Sequence, residues 1–375
     1  MSERDEMILE NRVVCVQVGR LLAQLTERLE GPIVARTRDV LAKKPVLSLF
    51  SGAGGLDTGF EEAGFDVPLA IDVAEPAIAT YRRNHPRTEV IQADLLTLSD
   101  QAIIDLWVRV AGDMPPAGVI GGPPCQSFSV SNVHQKDDDP RSLLPGRYAA
   151  ILRAVCSRLG LDFFLFENVP GLLGRRHRHR FESFLQECRD LGFNVEYRVL
   201  DAADFGLPQY RQRLVVLGVR SDLCPQGHPG FPVGRLRPQT VFEAIGSLPD
   251  PVVRRRGMKP ADVPYHPNHW CLTPKSPRFR DGTLKPGVAA GRSFRVLEWH
   301  KPSWTVAYGN REVHVHPSTK RRLSVYEAML LQGFPPTYVL EGSITQQFKL
   351  VSDAVPPPLA RALAQHIASR LYSGG

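Results

Sequence analysis

The feature that most constrains this fold is a series of short apolar runs, each ending at a polar or glycine-rich turn and followed by a helix-like stretch. The runs cover residues 46–50, 67–73, 90–94, 117–120, 162–166, 193–200 and 214–220. Strands that alternate with helices predict an α/β class protein with a mostly parallel, doubly wound sheet.

In such a sheet, ligands bind beyond the carboxyl ends of the strands. A glycine loop follows the first run, and acidic side chains or a cysteine follow four of the others. These groups are therefore predicted to line one cleft. They are the loop 51–55, Asp72, Asp94, Cys125 and Glu167.

Cys125 is a candidate nucleophile. It follows Gly121-Gly122-Pro123-Pro124, and a polar segment, 129–139, comes after it. Most cysteines are buried core residues. Here two prolines stiffen the end of the strand and a polar loop without regular pattern follows, which argues against burial.

The glycine loop by itself is a weak signal, because it suits a phosphate, a nucleoside or only a tight turn. No Lys-Ser/Thr pair follows it, which excludes a P-loop. Asp72 stands about 20 residues after the loop, where an acid suits a ribose diol. Asp94 suits an adenine amino group. Either aspartate alone could be a helix cap or turn residue, but together they favour a nucleoside cofactor.

The charge is concentrated in one window. The chain carries 46 Lys and Arg against 39 Asp and Glu, whereas residues 220–320 carry 16 against 7, a net +9, with 14 of the 32 prolines. A charge run such as Arg254-Arg255-Arg256 is often only a solvated face. A basic, loop-rich insert in an otherwise slightly acidic chain suits contact with a phosphate backbone.

These shifts predict four parts. Residues 1–44 form a helical N-terminal extension, either a packing arm or a partner-binding helix. Residues 45–220 form a catalytic and cofactor-binding domain, residues 221–320 the basic insert, and residues 321–375 a segment that returns to the catalytic domain. In this last part Ser324 is predicted to cap a helix from residue 325 to 332, with Glu327 completing a capping box.

Several classes of protein are excluded. Six widely spaced cysteines argue against a disulfide framework and for a reducing compartment. There is no apolar run of the ~18 residues needed to span a membrane, and the charged first 15 residues are not a secretory signal. We therefore expect a cytoplasmic protein. The spacing of Cys224, His228, His266, His269 and Cys271 fits no familiar zinc pattern, so no metal is predicted.

In this order, the motifs resemble those of the cytosine-C5 DNA methyltransferase family of restriction-modification systems. The resemblance covers most of residues 46–372 and is weakest in the insert. Residues 49–55 are similar to the family's cofactor loop, 122–129 to its Pro-Cys-Gln motif, 167–169 to Glu-Asn-Val and 209–213 to Gln-x-Arg-x-Arg. Arg322-Leu323-Ser324 with Glu327, and residues 332–335, resemble the motif after its target-recognition domain.

The resemblance implies a Rossmann-like methyltransferase sheet with a smaller target-recognition domain. It also implies S-adenosyl-L-methionine as methyl donor and a flipped cytosine in double-stranded DNA as substrate. Cys125 would add to C6 of the base, Glu167 would hold N3 and the exocyclic amine, and Arg213 would contact O2. The sulfonium is already activated, so no metal is required. A bacterial, cytoplasmic monomer is expected, with a cognate restriction endonuclease for the same site as a further partner.

Two further sets of residues follow from the resemblance. The cofactor set is Phe50, Ser51, Gly52, Ala53, Gly54, Gly55, Asp72, Val73, Asp94, Leu95, Pro124 and Asp353. The DNA-binding set is Gln126, Ser129, Ser131, Gln209, Arg211, Arg254, Arg255 and Arg256. Base readout is expected from insert arginines, among them Arg235, Arg237, Arg278, Arg280 and Arg292.

The chain departs from the family pattern at two places. Ser48 stands where the family usually has an aspartate, and Ser352-Asp353-Ala354-Val355-Pro356 stands for Gly-Asn-Ala-Val-Pro. A carboxylate at Asp353 could repel the cofactor's carboxylate or hold its ammonium group.

Two alternative functions are open. One is that of an RNA-directed (tRNA) member of the family, because residues 271–273 faintly resemble a tRNA-directed motif. The other is that of a catalytically silent DNA-binding regulator. The intact Cys125, Glu167 and Arg213 argue against the regulator.

Overall fold

The computed structural model describes residues 44–124, 143–289, 294–305 and 314–372. The predicted N-terminal helices lie outside these ranges. So do Cys125, Gln126, Ser129, Ser131 and Arg292. The site is therefore described from residues 122–124, which precede Cys125 in the sequence, and from the groups that contact them.

A seven-stranded sheet forms the centre of the described chain, in the order β3-β2-β1-β4-β5-β7-β6. Its strands are β1 (Pro45–Leu49), β2 (Asp66–Asp72), β3 (Glu89–Gln92), β4 (Gly118–Gly121), β5 (Phe163–Asn168), β6 (Phe193–Asp201) and β7 (Gln212–Arg220). Neighbours from β3 to β5 pair in parallel, whereas β7 runs antiparallel to both β5 and β6. The predicted mostly parallel α/β sheet is confirmed.

Helices cover both faces of this sheet. The helices of the described ranges are α1 (Gly55–Ala63), α2 (Glu75–Asn84), α3 (Asp100–Ala111), α4 (Leu144–Arg158), α5 (Arg178–Asp190), α6 (Val241–Ile245), α7 (Val325–Leu331), α8 (Ile344–Asp353) and α9 (Pro357–Leu371). Of these, α6 packs against α7 in a separate apolar cluster. β1 is buried at every position, as expected for a central strand with helices on both sides. One core includes Phe60, Phe163 and Leu363, and the other includes Trp107 and Tyr148.

The last helix packs against the first. A Cβ atom on Gly59 of α1 would lie 2.4 Å from the Ala360 Cβ atom and 2.7 Å from the Pro357 carbonyl oxygen of α9. Only a glycine at this position allows the two backbones to approach so closely. The C-terminal segment is thereby held against the helix that begins at the glycine loop.

Residues 221–320 contain little regular structure in their described parts. The strands β8 (Val252–Val253), β9 (Trp270–Cys271), β10 (Arg295–Val296) and β11 (His314–Val315) have two residues each, and α6 has five. Local bonds stabilise them, such as the capping box of Thr240 and Glu243. The domain boundaries remain a prediction.

At the return to the sheet, the local helix prediction is confirmed. Ser324 caps α7 and forms the capping box with Glu327. Arg321 donates to both oxygens of Glu327 at 2.9 Å, so the cap is also held by a buried ion pair. In the described ranges, the helices are all too short or too polar to cross a membrane.

Candidate active site

The glycine loop leaves the sheet at the end of β1 through an unusual backbone path. Phe50, Gly52 and Gly54 have φ values of 52°, 56° and 79°, in the left-handed region. Glycine adopts such angles freely, whereas a phenylalanine does so at a cost of about 1–3 kcal/mol. A strained bend at the end of a strand has to be held by other contacts, and the loop has them on two sides.

Asp72, at the end of β2, holds the loop from one side. Its Oδ2 atom accepts from the Gly52 N–H at 2.8 Å, and its Oδ1 atom accepts from the Ala74 N–H at 2.9 Å. Burial raises the pKa of Asp72, and these N–H donors oppose the rise. Each carboxylate oxygen can accept a second bond, so Asp72 can still bind a pair of hydroxyl groups.

The space above this part of the loop is open. A Cβ atom on Gly52 would meet no atom of the described residues within 4 Å. Val73 beside Asp72 is 57% exposed, and Asp94 after β3 is also exposed. An open turn with a carboxylate that can accept from two hydroxyl groups, beside an exposed apolar side chain, fits a nucleoside. Of the remaining cofactor set, Ser51, Ala53 and Leu95 are buried and Pro124 is exposed.

Glu167 and Arg213 form the centre of the site. The Arg213 Nε atom lies 2.8 Å from the Glu167 Oε1 atom, and their side chains are 11% and 9% exposed. The pair joins neighbouring strands, since Glu167 is in β5 and Arg213 in β7. Burial raises the pKa of Glu167, and the guanidinium groups of Arg213 and Arg211 oppose the rise.

The segment that leads to Cys125 lies against this pair. A Cβ atom on Gly122 would be 2.8 Å from the Glu167 Oε2 atom. The Asn168 Nδ2 atom donates to the Pro123 carbonyl at 3.1 Å. Residues 122–124 are therefore fixed beside Glu167, and the first residue after them is Cys125.

Gln209 and Arg211 do not lie where a DNA contact requires. Both side chains are buried, with at most 1% exposure. The Gln209 amide donates to the Leu331 carbonyl and the Gln332 side chain, at 3.1 and 3.0 Å. Arg211 donates from Nη2 to the carbonyls of Ser352 and Ala354, at 2.5 and 3.1 Å. Their burial argues against the predicted DNA contacts.

These bonds hold residues 352–355, here called the C-terminal wedge. Gln332 also donates to the Ala354 carbonyl, at 2.7 Å. A Cβ atom on Gly55 would lie 2.3 Å from the Val355 carbonyl oxygen, and one on Gly122 would lie 3.8 Å from the Val355 Cγ2 atom. The wedge thus sits between the glycine loop and the strand end that precedes Cys125.

The two departures from the family pattern differ in their surroundings. Ser48 is buried in β1. Asp353 is exposed at the end of α8 and forms an ion pair with Lys349, one helical turn earlier. The carboxylate that we expected to repel or hold the cofactor therefore has its own counter-charge, and Lys349 was not recognised from the sequence.

In the insert, Arg254, Arg255 and Arg256 are exposed. The Arg254 guanidinium lies 5.8 Å from the centre of the Trp270 ring. Across the described ranges, no group of three or more His, Cys, Asp and Glu side chains is placed to hold a metal ion. Of the residues weighed for zinc, Cys271 is buried and His266 stacks on Tyr326 at 4.0 Å.

Known proteins are similar to this chain in sequence and in fold. The family model for C-5 cytosine-specific DNA methylase matches residues 45–369. Type II methyltransferase M.MthTI from Methanothermobacter thermautotrophicus is 32% identical over 347 residues, 87% of this chain and 97% of that protein. M.FnuDI from Fusobacterium nucleatum is 31% identical over 351 residues, 87% and 94% of the two chains.

Among solved structures, a putative DNA modification methyltransferase encoded within an E. coli prophage superposes with a TM-score of 0.69 and 25% identity. It covers 88% of this chain and 99% of its own. Spodoptera frugiperda DNMT2, at 19% identity and a TM-score of 0.59, covers 86% and 99% and shares the fold. The chain belongs to the C-5 cytosine-specific DNA methylase family and is a DNA cytosine-5-methyltransferase.

Proposed function

We propose that this enzyme methylates C5 of a flipped cytosine in a specific double-stranded DNA sequence, with S-adenosylmethionine as donor and through a covalent bond between Cys125 Sγ and C6. The buried Glu167–Arg213 pair beside residues 122–124 carries this proposal. It supplies a carboxyl group and a guanidinium beside residues 122–124, which directly precede Cys125 in the sequence.

The chemistry explains why such a pair is needed. Cytosine C5 is a poor nucleophile, and addition of a thiolate to C6 makes it enamine-like. Negative charge then develops on the ring. A buried Glu167 with a raised pKa keeps a proton available for N3, while its other oxygen accepts from the exocyclic amine. Arg213 has further N–H donors for O2. C5 would then take the methyl group, and the sulfonium donor would leave as a neutral thioether. Transfer of the C5 proton to water would restore the C5=C6 double bond and expel the thiolate.

The residues around the glycine loop fit the cofactor. Asp72 would bind the ribose hydroxyls, Val73 would pack on the adenine and Asp94 would accept from its amino group. S-adenosylmethionine supplies an electrophilic methyl group on a sulfonium, so the chain needs no metal for the transfer. Lys349 lies close enough to Asp72 to lower its pKa, and it pairs with Asp353. This cation offsets the negative charge of both carboxylates, Asp72 and Asp353.

DNA binding is assigned to the exposed arginines of the insert. Arg254, Arg255 and Arg256 are free of the packing that encloses Arg211, so they can face phosphates. The target base cannot be reached inside a duplex, so it must be extruded at a cost of about a few kcal/mol. We further propose a cytoplasmic monomer whose methylation protects the same sequence from a cognate restriction endonuclease.

A mechanism-based trap tests this function. Duplex DNA that carries 5-fluorocytosine should form a covalent adduct with the wild type and none with Cys125→Ser, because fluorine at C5 blocks the elimination step. Cys156→Ser is a matched control. Burial raises the pKa of the Cys156 thiol to about 11, so this group is not a nucleophile and its loss should leave the adduct unchanged.

The substrate class is read in the same assay. Adduct formation with tRNA and not with duplex DNA would identify an RNA-directed enzyme, and no adduct on any sequence would identify a silent DNA-binding protein. Bisulfite sequencing of DNA from cells that express the protein would report the activity and the methylated sequence together.

A further inference from the structure

A network of titratable side chains lies directly beneath the glycine loop. Asp57 and Glu61 stand one turn apart on α1, Tyr81 and His85 come from α2 and its C-cap, and Tyr338 follows α7. All but Glu61 are at most 5% exposed. None of them has a part in the methyl transfer proposed above.

The network contacts the loop through its backbone. The Tyr338 hydroxyl donates to the Ala53 carbonyl. The Thr58 hydroxyl donates to the Gly54 carbonyl at 2.7 Å. A Cβ atom on Gly54 would lie 2.5 Å from the His85 Nε2 atom and 2.8 Å from the Tyr338 oxygen. The lower side of the loop is therefore filled by this network, whereas its upper side at Gly52 is open.

The hydrogen bonds of the network run in one direction. A carbonyl oxygen only accepts, so the single Tyr338 proton points at Ala53. The His85 Nε2 atom, 2.9 Å from the Tyr338 oxygen, must then donate to it. The His85 Nδ1 atom lies 2.8 Å from the Glu61 Oε2 atom, and the two side chains form a hydrogen bond. Glu61 thus orients His85, and His85 orients the Tyr338 hydroxyl toward the loop.

Tyr338 is itself held on two sides. The Asn84 side chain, at the end of α2, bonds both the N–H and the carbonyl of Val339, at 2.9 and 2.8 Å. The Asn268 side chain, in the basic insert, does the same for Leu340, with both bonds at 2.9 Å. The residues after Tyr338 are therefore fixed to two separate parts of the molecule, which gives its hydroxyl a defined position.

We propose that Tyr338, oriented by His85 and Glu61, is a positioning residue that holds the glycine loop in its cofactor-binding conformation. The loop carries left-handed angles at Phe50, Gly52 and Gly54, and such a bend persists only where its surroundings fix it. Tyr338 then sets the affinity for S-adenosylmethionine and leaves the rate of the chemical step unchanged. This inference rests on the proposed function, which places the cofactor at the loop.

Calorimetric titration of the full chain with S-adenosylmethionine tests it. Tyr338→Phe removes the bonds to Ala53 and His85, so the Kd should rise roughly five- to twentyfold. The kcat at saturating cofactor should stay within about twofold of the wild type. His85→Gln, which cannot bridge Glu61 and Tyr338, should raise the Kd in the same way and serves as the second variant if Tyr338→Phe does not fold.

Tyr326→Phe is the matched control. Tyr326 is as little exposed as Tyr338, and its hydroxyl donates to a backbone carbonyl outside the loop, that of Pro336, at 3.2 Å. Its removal should leave the Kd within about twofold. Thermal unfolding of each variant shows whether a loss of affinity merely follows a loss of stability.

The outcomes separate this inference from the function on which it rests. If the wild type does not bind S-adenosylmethionine, both the proposed function and the positioning role of Tyr338 are contradicted. A wild type that binds, with Tyr338→Phe binding equally well, would end only the positioning role. An equal rise in Kd for Tyr326→Phe, or a fall in kcat without a change in Kd, would also overturn it.

Discussion

Arginine is used in two opposite ways in this molecule. At the sheet edge, Arg211 is 1% exposed and the Arg213 side chain 11%, and both donate to groups of the site. In the insert, Arg254, Arg255 and Arg256 are exposed to solvent. The residue type is the same and the environment is not.

The difference in burial indicates a different role for each group of arginines. Burying a guanidinium costs desolvation energy, which is recovered only if its N–H groups are satisfied, so a buried arginine fixes its partners in place. An exposed arginine contributes little to folding but remains available to an anionic ligand. The first kind shapes the site, and for the second kind we propose a role in attracting DNA. A count of positive charges does not separate the two kinds.

The largest effect is expected at the partner of the buried pair. Glu167→Gln keeps the shape of the side chain but cannot give a proton to N3, so kcat should fall roughly 10²–10³-fold. Methyl transfer at saturating DNA and cofactor measures this. Glu182→Gln, which alters an exposed ion pair on α5, should keep the wild-type rate. A fully active Glu167→Gln would contradict the role of Glu167.

The next effect distinguishes the two kinds of arginine by stability. Arg211→Met removes the donor to the carbonyls of Ser352 and Ala354, and should lower the free energy of unfolding by about 3 kcal/mol. Arg255→Met should change it by less than about 0.5 kcal/mol. Urea denaturation measures both. Equal values for the two variants would remove the basis of the comparison.

Buried and exposed acids should respond to pH in opposite directions. Burial raises the pKa of Asp57 to about 6 from 3.8. The folded state then binds its proton more tightly than the unfolded state. The resulting stabilisation is complete below pH 3.8 and is lost as the pH rises through 6, a change of roughly 3 kcal/mol. Asp57→Asn should remove this part of the pH dependence, measured by urea unfolding between pH 4 and 7.

Glu243 in the insert provides the opposite case. Its bond from Arg237 and the capping bonds of Thr240 lower its pKa to about 2. The contribution of Glu243 to the free energy of unfolding is present above pH 4.5 and is lost as the pH falls toward 2. Glu243→Gln should therefore alter only the acid side of the stability curve. A pH profile that is the same in the wild type and both variants would refute this contrast.

The smallest effect is expected from the exposed arginines. Changing Arg254, Arg255 and Arg256 together to Gln should weaken DNA binding by about 1–2 kcal/mol and reduce the slope of log K against log salt by up to about 2.7. The free energy of unfolding should stay within about 0.5 kcal/mol. Fluorescence anisotropy at several salt concentrations measures the slope. An unchanged slope would place the DNA elsewhere.

The sequence predicted the sheet well because its signals are local. Each apolar run ended at a polar or glycine-rich turn, and the observed strands β1 to β7 differ from the predicted runs by only a few residues. The cap at Ser324 was predicted for the same reason, since both of its partners lie within four residues. The predicted proximity of Asp72 to the glycine loop is confirmed, because the carboxyl ends of parallel strands lie at one edge of the sheet.

The contacts that were missed join distant parts of the chain. Arg211 bonds to Ser352, 141 residues later, and Tyr338 bonds to Ala53, 285 residues earlier. No periodicity or turn chemistry links such positions. In the sequence, a Gln-x-Arg-x-Arg motif whose side chains are buried therefore cannot be distinguished from one whose side chains face DNA. The role of Cys125, outside the described residues, stays a prediction supported by its neighbours.

One contact bears on how the gene itself can be rearranged. The Lys44 Nζ atom lies 4.6 Å from the centre of the Tyr372 ring, so the first strand begins beside the end of the last helix. In a variant that lacks residues 1–43 and 373–375, a short peptide can join these two points. New termini can then be opened in the loop-rich insert, where few strands are cut. Such a circular permutant places the C-terminal wedge ahead of the glycine loop in the order of synthesis while keeping both at the same place in space.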